Sequence, residues 1–272
     1  MSRGAEQIMI PRTIHYCWFG RNPLDERSIR CIESWKRFFP GYQIIQWNED
    51  NFDVRQNEFM EKAYEDKKWA FVSDVARLRI IYDYGGIYFD TDVEVVAPYD
   101  DILGSDAEGF LGYEKTGYVA TGLGFGASAG HPLIGEMLAV YSELDYDAYK
   151  NRLAEVACPL TGTKVLEEHG FIREDKKQNV CGLNIYPSEF FSPIDFCTGK
   201  MARTGNTHSI HWYNNSWNSV QARKQREVER RLYRVFGKKL GGVLLGVTTC
   251  IHQEGIANYI KTRTAKVLKG KK

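Results

Sequence analysis

Residues 71–96, FVSDVARLRIIYDYGGIYFDTDVEVV, leave this chain few ways to fold. Over residues 72–84 the apolar side chains Val75, Leu78 and Tyr82 recur at helical spacing, which predicts a helix. Gly85-Gly86 ends it, because glycine tolerates the positive φ that a helix stop often needs. Ile87-Tyr88-Phe89 is β-branched and aromatic and reads as a buried strand. Asp90 and Asp92 then fall where that strand meets solvent.

Two carboxylates on a rigid strand end are hard oxygen ligands of the kind Mg²⁺ and Mn²⁺ take, and substrate phosphate oxygens fill the positions such ions leave open. Asp-x-Asp alone is equally the composition of a solvated turn. Asp74 and Arg77 are three apart on the helix and so neighbours on one face. They read either as a surface ion pair, worth little, or as a polar pair beside the metal that grips one substrate.

Upstream, residues 10–20 (IPRTIHYCWFG) start on proline, continue as a β-prone run and read as a first strand ending at Gly20. Residues 24–38 bring Leu24, Ile29, Ile32 and Trp35 close to helical spacing, and Pro40-Gly41 stops them. Residues 42–47 read as a second strand and 58–69 as a helix leading into the central stretch. Alternating strands and helices imply right-handed crossovers and a mainly parallel sheet. Ligands of such sheets sit beyond the carboxyl ends of the strands, and Trp18, Asp90 and Asp92 all fall at such ends. Downstream, the glycine-rich residues 109–126 read as strands or as a loop over a ligand. His131, before a proline, reads as a helix-entry residue, and 133–144 as a helix. Residues 208–217, HSIHWYNNSW, gather two histidines and two tryptophans among uncharged polar groups.

Three separated patterns in one order give these stretches a family likeness. They are Pro-x-x-Ile-His-x-x-Trp-x-Gly at 11–20, SDxxR followed by GGxYxDxD at 73–92, and His-x-x-x-x-Ser-Trp at 211–217. Over roughly residues 8–217 the chain resembles the DXD-containing sugar-binding glycosyltransferases. That family includes fungal mannosyltransferases, α-1,4-glycosyltransferases and bacterial capsular polysaccharide enzymes, and it is related to the glucosyltransferase domains of large clostridial toxins. The resemblance implies a GT-A-like α/β fold with a mainly parallel sheet flanked by helices. It also implies a nucleotide-sugar donor carrying UDP or GDP, and Mn²⁺ or Mg²⁺ as cofactor. Asp90, Asp92 and His211 are the implied metal ligands, with Asn215 or Ser216 as alternatives to the histidine. Asp74 and Arg77 are implied to orient the donor sugar, Tyr16 and Trp18 to cover the base, and Ser216 and Trp217 to hydrogen-bond the leaving phosphate. The resemblance further implies a retaining transfer to a glycan or lipid-linked glycan, in bacterial surface polysaccharide synthesis. The competing readings are a non-catalytic nucleotide-sugar or membrane-binding module and an Asp-x-Asp phosphatase. The phosphatase pattern needs Thr or Val where this chain has Glu94.

Charge divides the chain. Residues 221–272 hold 14 Lys and Arg against 3 Asp and Glu, a net of +11, while residues 1–220 hold 22 against 32, a net of −10. We expect a catalytic domain over 1–218 and a basic helical extension over 219–272. Gly237 is the expected stop of the first helix in that extension. Its basic heads and apolar stripe suit an anionic membrane surface. The overall charge of +1 gives no reason to expect a nucleic-acid partner. The six cysteines have no zinc spacing and residues 1–10 have no secretory pattern, so the expected state is free thiols in the cytoplasm or on the inner membrane face.

Overall fold

The computed structural model describes residues 10–104, 107–214 and 220–254. Among the described residues nine strands form, β1 (Thr13–Cys17), β2 (Gln43–Trp47), β3 (Gly86–Tyr88), β4 (Val93–Val95), β5 (Gly109–Gly112), β6 (Phe125–Ala127), β7 (Gln178–Val180), β8 (Leu183–Tyr186) and β9 (Ser209–His211). Seven make one sheet in the order β2-β1-β3-β6-β5-β8-β7, and β4 pairs with β9 in a second. In the large sheet β2, β1, β3, β5 and β8 run one way, and only β6 and β7 run the other. This is the mainly parallel α/β architecture expected, and the glycine-rich stretch has become β5 and β6. The chain runs from β1 outward to β2, then crosses back to lay β3 on the other side of β1. The strand order therefore reverses between β1 and β3, where α/β sheets keep their ligand crevice.

Side-chain alternation along β3 decides which helix covers which face. Ile87, with Phe89 just beyond the strand, packs with Trp35 and Phe39, whereas Tyr88 packs with Val72, Val75, Leu78 and Ile81. On the first face lies helix α1 (Glu26–Phe38), whose Asp25 cap accepts the Ser28 N–H at 2.8 Å. Trp35, fully buried, donates its indole N–H to the Val93 carbonyl at 2.7 Å. Ser34 Oγ accepts the Val95 N–H at 2.9 Å. These two bonds tie α1 to β4. The two helices expected over 58–69 and 72–84 appear as α2 (Glu58–Glu65) and α3 (Trp69–Tyr84); the first ends early because the chain turns through Lys67 at φ 55°. α3 is apolar on most sides, as a helix buried between a sheet and its neighbours must be.

Gly85 and Gly86 have φ of 62° and 106°. A Cβ at Gly85 would lie 2.7 Å from the Ala129 nitrogen, and one at Gly86 2.7 Å from the Thr13 carbonyl oxygen. Only glycine fits between helix and strand here.

The residues fall into two compact units, one of Met1–Ile194 with Ala202–Trp217, the other of Asp195–Met201 with Asn218–Lys272. In the second, the helix Val220–Glu254 is broken at Gly237, where φ is 73° and ψ 165°. The described cysteines Cys17, Cys31, Cys158, Cys181 and Cys197 are free thiols.

His15 is a core histidine. Its Nδ1 accepts the Trp47 indole N–H at 3.0 Å, and its Nε2 donates to the Gly85 carbonyl at 3.0 Å. An imidazolium could not accept the first bond. Burial lowers its pKa from 6.5 to about 4, against a smaller upward pull from Gly85. The folded state thus disfavours the proton that the unfolded chain takes up below pH 6.5. This contribution, roughly 3 kcal/mol, is complete above pH 6.5 and is lost as pH falls towards 4. Urea melts across that range should show a shallower pH slope for His15→Gln than for wild type; equal slopes would refute the assignment.

Candidate metal and donor site

The site grows from the end of β3. Phe89 is the last core residue of the strand, and Asp90 follows it into partial exposure, its side chain 26% accessible. Asp90 Oδ1 accepts the Tyr88 hydroxyl at 3.0 Å and forms an ion pair with Arg77 Nη2 at 3.1 Å. The same Arg77 nitrogen is 3.1 Å from Asp74 Oδ1. Arg77 Nε donates to the Ser73 carbonyl at 3.0 Å, and its guanidinium lies 4.9 Å over the Tyr88 ring. Asp74 Oδ2 accepts the Cys158 N–H at 3.2 Å, at the start of the helix Cys158–Glu168.

Asp74 and Arg77 therefore do not form the surface ion pair that was one of their readings. The Arg77 side chain is 4% exposed and that of Asp74 9%. Burial disfavours the guanidinium charge, but Asp90, Tyr88 and Asp74 outweigh it and raise the pKa. Arg77 is a buried bridge that fixes Asp90.

Asp92 is held from the other side. β4 and β9 pair antiparallel with Val93 opposite His211. The Trp212 N–H donates to the Asp92 carbonyl at 3.0 Å, and the Asn214 N–H to Asp92 Oδ2 at 2.7 Å. His211 Nε2 lies 3.1 Å from Asp92 Oδ1. Burial alone would raise the Asp92 pKa, but His211 and the Asn214 N–H reverse it and hold the carboxyl below its ordinary value. Burial alone would lower His211, yet Asp92, Asp90 and Glu114 raise it. For Asp90, burial and repulsion from Asp92 outweigh Arg77 and His211 and lift the pKa to about 6.

Asp90, Asp92 and His211 each direct a ligand atom to one place, within 4.8 Å of one another. His211 Nδ1 is buried without a hydrogen-bond partner among the described residues. Two carboxylates that repel each other, joined by one imidazole, form a donor set that a divalent cation fits. His208 is differently employed: its Nδ1 meets the Asn206 carbonyl at 2.7 Å and its Nε2 meets Asp101 at 2.8 Å. Its ring stacks on Phe190 at 5.4 Å, as a packed core histidine does.

The base-covering candidates lie on the neighbouring strand. His15 pairs with Tyr88, so the register carried forward sets Trp18 level with Thr91 at the reversal point. Trp18 is half-buried, and its indole N–H donates to the Asn22 carbonyl at 2.6 Å. Tyr16 is buried, edge-on to Trp35 at 5.7 Å, with its hydroxyl on Gln46. Ser216, Trp217 and the alternative ligand Asn215 lie outside the described residues.

Sequence reasoning missed several members of this site. Gly122 stands against the cluster, and a Cβ there would come within 2.5 Å of Asp90 Oδ2 and 3.1 Å of Arg77 Nη1. Tyr213, at φ 50°, sets its ring 4.2 Å from that of His211. Its hydroxyl contacts Ser192 at 2.7 Å and the buried carboxylate of Glu114 at 3.2 Å. Tyr213 lies inside the aromatic 208–217 run, which hints at it; Gly122 and Glu114 carry no local signal.

Removing Arg77 would leave Asp74 and Asp90 uncompensated in a buried setting. Arg77→Ala should cost about 3 kcal/mol or more, read as a lower urea midpoint, and Arg77→Lys should restore only part of it because one ammonium cannot reproduce the fork. A loss under about 1 kcal/mol would mean the bridge is solvated.

Part of the chain is similar to known proteins. Residues 25–108 match the family described as "Glycosyltransferase sugar-binding region containing DXD motif". Inositol phosphoceramide mannosyltransferase 1 of Schizosaccharomyces pombe is 29% identical over 156 residues, 53% of this chain and 47% of that one. The human alpha-1,4-N-acetylglucosaminyltransferase is 35% identical over 82 residues, 30% of this chain and 22% of that one. The chain thus spans less than half the length of these relatives. Among solved structures, PaToxG glycosyltransferase aligns with a TM-score of 0.48 at 19% identity, covering 58% of this chain and 68% of that one. Asp74, Arg77, Asp90 and Asp92 all lie within the residues that match that family description.

Proposed function

We propose that the protein is a metal-dependent glycosyltransferase that moves a sugar from a nucleotide-sugar donor to a glycan or lipid-linked glycan. The observation that carries this reading is the convergence of Asp90, Asp92 and His211 within 4.8 Å at the strand-order reversal. Mn²⁺ or Mg²⁺ would be held by these three side chains. Such an ion supplies positive charge to the diphosphate leaving group as the glycosidic bond breaks.

The chain's own residues have separate tasks. Arg77, anchored on Asp74 and stacked on Tyr88, keeps the Asp90 carboxylate turned to the metal position. Its burial fits a positioning role better than direct reach to the sugar. Asp74, held by the Cys158 N–H, keeps Arg77 in place. The backbone N–H groups of Trp212 and Asn214 do the same for Asp92. Trp18 offers a π-face for the base beside the metal, and Ser216 and Trp217 are the family-implied donors to the leaving phosphate. We carry the retaining outcome, a role in bacterial surface polysaccharide synthesis and a cytoplasmic setting as part of the same reading, with a catalytic domain over 1–218. A non-catalytic module would need none of the metal set intact. The phosphatase reading loses ground because Glu94 Oε2 accepts the Trp212 indole N–H at 2.9 Å, a structural task.

The test is Mn²⁺-dependent hydrolysis of UDP-glucose, UDP-galactose, UDP-N-acetylglucosamine and GDP-mannose, together with donor binding by calorimetry. One donor should be bound and slowly hydrolysed, with both lost in chelator and in Asp92→Asn. Metal-independent binding, or no binding of any donor, would sink the proposal. Protons compete with the cation for His211, whose pKa is raised, and for Asp90, at about 6, so Mn²⁺ affinity should fall steadily as pH drops from 7.5 to 5 and binding should release protons. Affinity unchanged between pH 7.5 and 5 would remove Asp90 from the ligand set.

A further inference from the structure

The helix Val220–Glu254 carries an unusual share of exposed apolar surface. Val228, Val235, Phe236, Leu240 and Val243 are 47–67% exposed. Residues 220–254 also contain eight Lys and Arg against three Asp and Glu.

The cations divide into two sets by what they touch. Arg226, Arg230 and Arg234, four apart, form one row along the helix. The Arg226 guanidinium lies 4.0 Å over the Phe196 ring, Arg230 Nε donates to the Phe196 carbonyl at 3.3 Å, and Arg234 Nη2 donates to the Thr198 carbonyl at 3.1 Å. This row holds the segment 195–201 against the helix, inside the second unit. Val228 is two residues on from Arg226 and so about 200° around the helix, on the far side. Val235 is seven on from Val228 and shares its face. Lys224 and Arg231 stand four before Val228 and Val235, the spacing of adjacent side chains, and both are exposed. The outward face therefore sets Val228 and Val235 beside Lys224 and Arg231, with the exposed Glu227 at its edge, while the inward arginines are used on the chain itself. No helix among the described residues is long and apolar enough to cross a membrane. A charged, apolar-striped helix of this kind suits the interface of a bilayer.

We propose that this outward face is a docking surface for an anionic lipid bilayer, with Val228, Val235 and Phe236 entering the headgroup boundary and Lys224 and Arg231 meeting lipid phosphates. The charge complementarity selects anionic over neutral lipid. The surface is independent of the sugar-transfer reading and stands if that reading fails.

The test is co-sedimentation of the full chain with vesicles of phosphatidylcholine alone or with about a third phosphatidylglycerol, at near-physiological salt. Binding to the anionic vesicles should exceed binding to the neutral ones by about tenfold or more. Lys224→Glu with Arg231→Glu should abolish that preference, and Val228→Ser with Val235→Ser should lower binding to the anionic vesicles several-fold. Circular dichroism of each variant should match wild type. Absent binding, equal binding to both vesicles, or binding indifferent to both pairs overturns the proposal. So does a dimer in solution that the valine pair dissolves, or binding that a nucleic-acid competitor removes at equal charge concentration.

Discussion

One guanidinium sets the geometry of the candidate site. Arg77 spans Asp74 on its own helix and Asp90 at the end of β3, at 3.1 Å to each, with the Tyr88 ring as a floor. A buried cation between two carboxylates is tolerated only where every partner is in place. That requirement explains why so much around it is specified. Gly85-Gly86 turns the chain so that α3 and β3 lie face to face. The start of the helix Cys158–Glu168 supplies the N–H that completes Asp74. Gly122 leaves the room that any side chain would take. A strand only three residues long can thus carry a rigid carboxylate.

Asp92 depends on a second, independent support. α1 fixes β4 through Trp35 and Ser34, and β4 in turn holds β9. Asp90 answers to the large sheet and Asp92 to the small one. His211 is where the two supports meet, because its ring faces Asp92 while Tyr213 and Glu114 back it from the β5 side. The opposite pKa directions of the two aspartates follow from this division. Asp92 has an imidazole and an N–H aimed at it, whereas Asp90 must share Arg77 with Asp74 and face another carboxylate.

Local chemistry made the first half of the chain legible. Periodicity gave α1 and the core face of α3, glycine gave the stop at residues 85–86, and β-branched runs gave β1 to β3. The alternation of these elements was enough to infer the sheet's direction and to bring Trp18 and Asp90 to one edge. Long-range pairing was not legible. Nothing in SIH announces that it will lie against VEV, with His211 opposite Val93, 118 residues earlier (211 − 93). Nothing in the TGL turn announces that its glycine abuts a carboxylate. The likeness to a known family supplied His211 where residue chemistry could not choose between it and His208. The burial of Asp74 and Arg77 was also beyond reach, since three-residue spacing establishes adjacency and not exposure.

The pairing of β4 with β9 has a consequence for how the protein comes into being. Contacts between distant parts of a chain form late, because loop closure must precede their reward. The described strands of the large sheet are all in place by Tyr186, but the third metal-ligand candidate arrives only with β9. During synthesis the chain therefore passes through a stage in which the scaffold is complete and the ligand set is not. A nascent chain at that stage has two repelling carboxylates and no imidazole between them. The candidate ligand set is therefore complete only once β9, the last of the described strands, has docked.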